Sequence, residues 1–335
     1  MMPSLLNQIL KKSLIVLSWV VFATASTLSF AQYPEKPIRM IVGYAPGGAA
    51  DNLIRPVSDR LSKLLGQSVV MEYHPGAGGV IAADILSRAP ADGYTLHITD
   101  SGPMTIVPKM KKTSYNPMTD FSPIAMVGIG GTLMVTPANS PATNLKTLIE
   151  LTKDKSKPWS YGTSGIGGVG HLAAEQFQLA SGVKMTHVPY KGGAPAIVEL
   201  IGGHVPLLFS SLGAAAPHVL SGRIKPLAVT SLKRSSMFPD VPTLAESGYP
   251  NFDASIWFGI FGPAKMPQPI IDKLTTAFNT VLQDPAVQES IRKEGYDQIS
   301  LTPTQMQAQI NQDLERWGKV IKSANVVYDL SLIHI

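Results

Sequence analysis

Tyr161 to His171 reads YGTSGIGGVGH, a run that sets the Thr163 and Ser164 hydroxyls, five glycines and an imidazole side by side. Three chemistries are open to such a run. The first is nucleophilic catalysis, with Ser164 activated by His171. A nucleophile elbow needs G-x-S-x-G, however, and Ile166 stands at the last glycine position. No carboxylate is marked as a third member, so a serine hydrolase using Ser164 and His171 stays the alternative and His171 reads as a first-turn helix residue that orients the loop. The second is dinucleotide binding, since Gly165, Gly167 and Gly170 spell G-x-G-x-x-G between a strand and a helix. The acidic residue expected about 20 positions on to hold a ribose is missing, because 187–191 reads HVPYK. The third is main-chain chemistry. A glycine turn opening a helix aims unpaired N–H groups and the positive end of a helix dipole at one point, a ready anion site.

A second run repeats that third pattern. Ile41 to Asp51 reads IVGYAPGGAAD, an apolar strand broken by Pro46, Gly47 and Gly48 before helical spacing resumes near Asp51. A single turn of this kind commonly serves only packing. Two of them, one from each of two domains, are expected to clasp one small carboxylate. Asp51 reads first as a helix cap and second as a partner for a ligand ammonium. Asp100 divides in the same way, with Ser101 beside it, and Tyr190 ends another strand that can face the cleft. No arginine lies within the glycine turns, which favours amides and bridging waters over a bidentate guanidinium. Seven histidines are scattered without the i, i+4 spacing that places two on one helix face, and there is no cysteine. Neither a metal nor a cofactor is expected.

The elements that must hold these turns follow from periodicity. Strands are predicted at 38–42, 68–73 and 94–99, helices at 52–65 and before Pro90, with the breaks at Gly47, Pro75 to Gly79 and Asp100 to Gly102 all at carboxyl ends of strands. Strands alternating with helices imply a parallel sheet whose ligands sit beyond those ends. The apolar run from Phe121 to Thr136 is too long for one average strand and is expected to leave one domain for another. Alternation then restarts, with strands at 160–163, 184–190, 205–210 and 224–230 and helices at 144–152, 171–180 and 195–201. Ala254 to Phe261 is the return path, and two amphipathic helices, 269–282 and 303–323, are expected to cover the first sheet.

At 335 residues two domains are the default. The formal charge is +5, but Lys11 and Lys12 fall in a leader, leaving 26 basic against 23 acidic residues and no run to track phosphates, so no nucleic acid partner is expected. In 1–31, Lys11 and Lys12 precede the apolar stretch 14–28, and Ser29 and Ala31 stand where a signal peptidase cuts. The stretch is shorter than the roughly 20 residues that span a bilayer, so a cleaved signal peptide and a soluble periplasmic protein are expected. The last nine residues, 327–335, have no capping or turn logic and read as a non-native tail.

YPEKPIRMIVGYAPGGAAD, HPGAGG, PADGYTL, YGTSGIGGVGHLAAE, HVPYKGGAPAIVELIGGHV and FPDVPTLAESGYP occur in this order from about Tyr33 to Asn325. In that order and spacing the chain resembles the Bug-type solute receptors of tripartite tricarboxylate transporters. The resemblance implies an α/β periplasmic binding protein fold: two lobes, 32–132 with 253–326 and 133–252, a ligand cleft between them, and two crossing strands as hinge. It implies a non-enzyme, most simply a monomer, that closes on a small carboxylate or amino acid and delivers it to integral membrane transporter subunits; a receptor for a sensor kinase is the other reading. Tyr44, Gly47, Gly48, Ser164, Gly165, Gly167 and Tyr190 become the implied contacts, with Pro46, Asp51, Asp100, Ser101, Gly168 and His171 around them. Two departures bear on ligand identity: Gly168 stands where members often carry serine, and His74 where arginine is common.

Overall fold

The computed structural model describes residues 33–154, 156–190 and 192–326. The expected leader, the expected tail and Lys191 lie outside the described residues. The first sheet takes β1 (Ile38–Val42), β2 (Val69–Tyr73), β3 (Thr95–Asp100), β4 (Phe121–Gly130) and β10 (Ile256–Pro263) in the order β2-β1-β3-β10-β4. The second takes β5 (Thr132–Pro137), β6 (Trp159–Thr163), β7 (Met185–Pro189), β8 (Leu208–Ser211) and β9 (Ile224–Val229) in the order β7-β6-β8-β5-β9. The helices are α1 (Ala49–Leu65), α2 (Val80–Ser87), α3 (Val107–Met110), α4 (Leu145–Thr152), α5 (Val169–Ser181), α6 (Gly193–Ile201), α7 (Leu212–Leu220), α8 (Gln268–Leu282), α9 (Pro285–Lys293) and α10 (Pro303–Ala324).

The two sheets have one plan. Each has three parallel strands, then an antiparallel strand arriving from the other sheet, then a last strand. The parallel expectation therefore holds for three strands of each sheet and fails at β10 and β5, which run backwards because each comes from the opposite lobe. That reversal decides where the site is. β4 leaves the first sheet at Gly130, on the edge where β1, β2 and β3 end, and after the single residue Gly131 β5 begins with Thr132 opposite Ser211, the last residue of β8. The carboxyl edges of the two sheets consequently face each other across the crossing.

The crossing is tightly built. A Cβ at Gly131 would lie 2.7 Å from Ser231 Oγ and 2.8 Å from Val229 Cγ1. Thr132 N–H donates to Thr230 Oγ1 at 2.8 Å, and Ala254 N–H donates to the Thr230 carbonyl at 2.8 Å, so outgoing and returning chains are laced together.

The predicted stripe on α1 is buried at Leu53, Val57 and Leu61, whereas Leu64, in its last turn, is exposed. Sequence periodicity missed α7, whose small alanines and Pro217 blunt the apolar stripe, and α9. α9 had a start signal: Asp284 caps it, accepting from the Ala286 amide at 2.8 Å, and proline follows at the first helical position. α10 is not confined to the first sheet. Met306, Ile310 and Leu314 pack with Trp257 and Phe261, but Trp317 and Ile321 join Leu172 and Phe177 of the second lobe. Among the described residues no helix is long and apolar enough to cross a membrane.

Candidate functional site

Helix α1 starts after Gly47 and Gly48, and α5 starts after Gly167 and Gly168, at the same point of each sheet. Gly47 has φ +81° and Gly167 φ +78°; the two N-cap glycines, Gly48 and Gly168, have φ, ψ of −79°, 171° and −80°, 164°. These are one backbone turn built twice. The positive φ is left-handed space that side chains with a Cβ adopt at a cost, which is why a glycine precedes each cap. Neither cap carries a side-chain acceptor, so the amides of the first helical turn, Ala49 to Asp51 and Val169 to His171, point out of each helix without an intrahelical partner.

Asp51 and His171 hold the third helical position of their helices and do the same job. Asp51 Oδ2 accepts the Gly47 N–H at 2.7 Å, and His171 Nδ1 accepts the Gly167 N–H at 3.2 Å. Each is fixed from behind. Asp51 also takes the Tyr73 hydroxyl at 2.7 Å and Arg55 Nε at 3.0 Å. Burial alone would raise its pKa, but the Gly47 amide, Tyr73 and Arg55 hold the carboxyl below its ordinary value. His171 stacks on His187 at 4.0 Å and 13°, His187 stacks on Tyr161 at 4.9 Å, and Glu175 Oε1, bonded by the Tyr161 hydroxyl, lies 4.0 Å from His171 Nε2. Burial lowers the His171 pKa to about 4. Its Nδ1 is thus an acceptor and its proton sits on Nε2.

The Ser164–His171 pairing that the hydrolase alternative needs is not formed in this geometry. Both nitrogens of His171 face partners other than Ser164, whose side chain is exposed and whose carbonyl takes the Gly192 amide at 3.2 Å. Asp51 is likewise a turn lock in this structure rather than the cap residue, because the helix begins at Ala49, three residues before the predicted start.

The end of β3 joins the two turns. Asp100 Oδ1 accepts the Gly102 N–H at 2.6 Å and its Oδ2 accepts the Tyr44 hydroxyl at 2.5 Å, which ties the first turn to the third strand. Burial pushes the Asp100 carboxyl up to about 6 against these two bonds. A Cβ at Gly102 would stand 3.7 Å from the Gly167 carbonyl oxygen, so this strand end touches the second turn. Tyr44 also lies 3.2 Å from the Gly78 carbonyl, which brings in the turn after β2.

The remaining predicted residues fall as follows. Pro46, Gly47 and Ser164 are exposed, Gly48, Gly165 and Gly168 half-buried, and Ser101 fully buried. The Tyr190 ring packs into the second lobe's core against Gly162, while its backbone amide donates to Thr163 O beneath the second turn. Sequence reading passed over two contributors. The β8–α7 junction at Ser211 is a third strand-to-helix turn on the second lobe, hidden because α7 was hidden. Glu294 lies between the lobes: its Oε1 accepts the Asn52 side-chain amide at 3.2 Å and its Oε2 would meet a Cβ at Gly213 at 2.6 Å. Among the described residues no group of acidic, histidine or cysteine side chains is arranged to hold a metal.

Comparison with known proteins gives one consistent answer. Residues 53–326 match the model of the tripartite tricarboxylate transporter family receptor. Protein BugT of Bordetella pertussis is 36% identical over 300 residues, covering 89% of this chain and 92% of that protein. An R. palustris protein solved with adipate superposes with a TM-score of 0.82 at 33% identity, over 88% of this chain and 99% of the other. MatC from Rhodopseudomonas palustris, solved with bound malate, gives a TM-score of 0.79 at 27% identity, over 86% and 100%.

Proposed function

Because this chain belongs to the tripartite tricarboxylate transporter receptor family, we propose that it captures a small carboxylate between its lobes and presents the closed complex to the membrane subunits of such a transporter. The observation that carries this reading is the pair of matched glycine turns at the facing carboxyl edges of the two sheets; in the proposed complex their first-turn amides open onto one cleft, each helix end worth about 0.3–1 kcal/mol toward an anion and up to about 2 when water is excluded. Lobe one is 32–132 with 253–326 and lobe two 133–252. Tyr44, Pro46, Gly47, Gly48, Ser164, Gly165, Gly167 and Gly168 form the walls; Asp51 and His171 shape them from behind, and Asp100, Ser101 and Tyr190 brace them. The protein works in the periplasm, as a monomer, without cofactor and without chemistry on its ligand.

Bound adipate and malate in two relatives support an aliphatic dicarboxylate as the ligand class. Closure would carry the second turn onto a ligand resting on the first. Isothermal titration with adipate, malate, shorter and longer dicarboxylates, aromatic monocarboxylates and acidic amino acids tests the reading. Saturable binding of one member with no turnover is the expected result. Absence of heat and of any thermal shift across the panel would overturn it.

A further inference from the structure

Tyr296 follows α9 and the positive-φ Gly295 (φ +83°), and its ring crosses the first sheet where two strand residues have no side chain. A Cβ at Gly128 would lie 3.1 Å from Tyr296 Cβ, and one at Gly130 3.0 Å from its Cδ1. The ring therefore runs along β4 from Gly128 toward Gly130, which is toward the carboxyl edge of the sheet and the cleft. Phe258 pairs in register with both Gly128 and Asp100, and its ring meets that of Tyr296 edge-on at 5.2 Å. Register partners on antiparallel strands share a face, so Tyr296, Phe258 and Asp100 stand on one face of the sheet.

The hydroxyl at the end of this ring has no hydrogen-bond partner among the described residues, and Tyr296 is 1% exposed. Its charged neighbours are Asp100, from the end of β3, and Glu294, from the end of α9. Both oxygens of Asp100 already accept donors, from Gly102 and Tyr44. Glu294 Oε1 is taken by Asn52, in the second turn of α1, which places this corner beside the amides of the first glycine turn. Burial, followed by the charges of Asp100 and Glu294, holds the phenol above its ordinary range, so it remains a donor at any working pH. Phenylalanine would fill the same space, and a buried hydroxyl left unpaired is costly. The O–H is left to donate to a ligand oxygen or to an ordered water.

We propose that the Tyr296 hydroxyl is a ligand contact, donating to an oxygen of the carboxylate held at the N-terminus of α1. This rests on the carboxylate-receptor reading above. It gives the site a side-chain donor of defined direction from the C-terminal part of the chain, so ligand length and oxygen placement would be read there as well as at the two turns.

Tyr296→Phe removes only the oxygen. Titration of wild type and Tyr296→Phe with adipate and with malate, alongside thermal midpoints of ligand-free and saturated protein, tests the assignment. The expected result is a ligand-free midpoint unchanged or raised, since an unpaired polar atom is lost, with affinity for the bound acid down tenfold or more. Affinity within threefold of wild type would overturn the assignment and leave an ordered water as the partner, whatever the midpoint does. If wild type binds neither acid nor any other member of the panel, the receptor reading itself falls and this contact with it.

Discussion

Asp51 and His171 show how much a single position can say and withhold. His171 was legible as a first-turn residue behind a glycine turn and Asp51 as a helix cap, because polar side chains there satisfy orphan amides. Their equivalence was hidden, since an aspartate held by Arg55 and Tyr73 and a histidine stacked on His187 share no sequence pattern. They nevertheless accept the same amide in the same turn. They differ in acid. The folded His171 titrates near 4 against an ordinary 6.5, so between those values the unfolded chain binds the extra proton and stability falls as pH drops through that window. Asp100 acts with opposite sign: its carboxyl, raised from 3.8 to about 6, makes the folded chain the better proton binder there. Comparing variant with parent isolates the histidine. His171→Asn keeps an acceptor for Gly167 while removing the titration. Urea unfolding from pH 7 to pH 4.5 should show the variant losing less stability than the parent, by about 2 kcal/mol. Parallel losses in both proteins would mean that His171 is protonated in the fold.

Among the elements, the strand-turn-helix units were readable because Gly-Gly between an apolar run and a helical stripe has few other meanings. The helix starts were misplaced by two or three residues, as N-caps without a polar side chain leave no mark; Gly48 and Gly168 cap by backbone shape alone. The turn geometry makes a specific forecast at Gly168. Gly168 has an ordinary extended φ of −80°, and a Cβ there would have its nearest neighbour, the Gly165 carbonyl, at 3.9 Å. Gly168→Ser should therefore fold without strain and gain a few tenths of a kcal/mol from a hydroxyl cap, with changed ligand preference because that hydroxyl takes up an amide of the first helical turn. Gly167→Ala, at φ +78°, should instead cost about 1–2 kcal/mol. Thermal unfolding of the pair checks both, and equal effects from the two substitutions would contradict the assigned turn.

The whole molecule is two copies of one plan joined at their carboxyl edges, and this was legible only in part. The long apolar runs at 121–136 and 254–261 betrayed the crossings, but a hydropathy run carries no direction, so the antiparallel insertion of β10 and β5 was not readable. Nor was the reach of α10, whose amphipathic stripe looks the same whether it covers one lobe or bridges two. Its Arg316 clamps the return crossing, donating from Nη1 to Asp253 Oδ2 at 2.8 Å and from Nη2 to the buried Asp313 at 2.8 Å. Arg316→Ala should lower stability by about 1–2 kcal/mol, since it removes the counter-charge of the buried Asp313 carboxylate and leaves it only Trp257 and Gln309 as donors, and a denaturant midpoint equal to wild type would refute that role. In the proposed complex, main-chain amides from both lobes hold one organic anion. Amide-resolved NMR during titration with adipate or malate tests it most directly. The amides of Ala49, Ala50, Val169 and Gly170 should shift together and saturate at one ligand concentration. Binding that leaves either group of amides unmoved would contradict it.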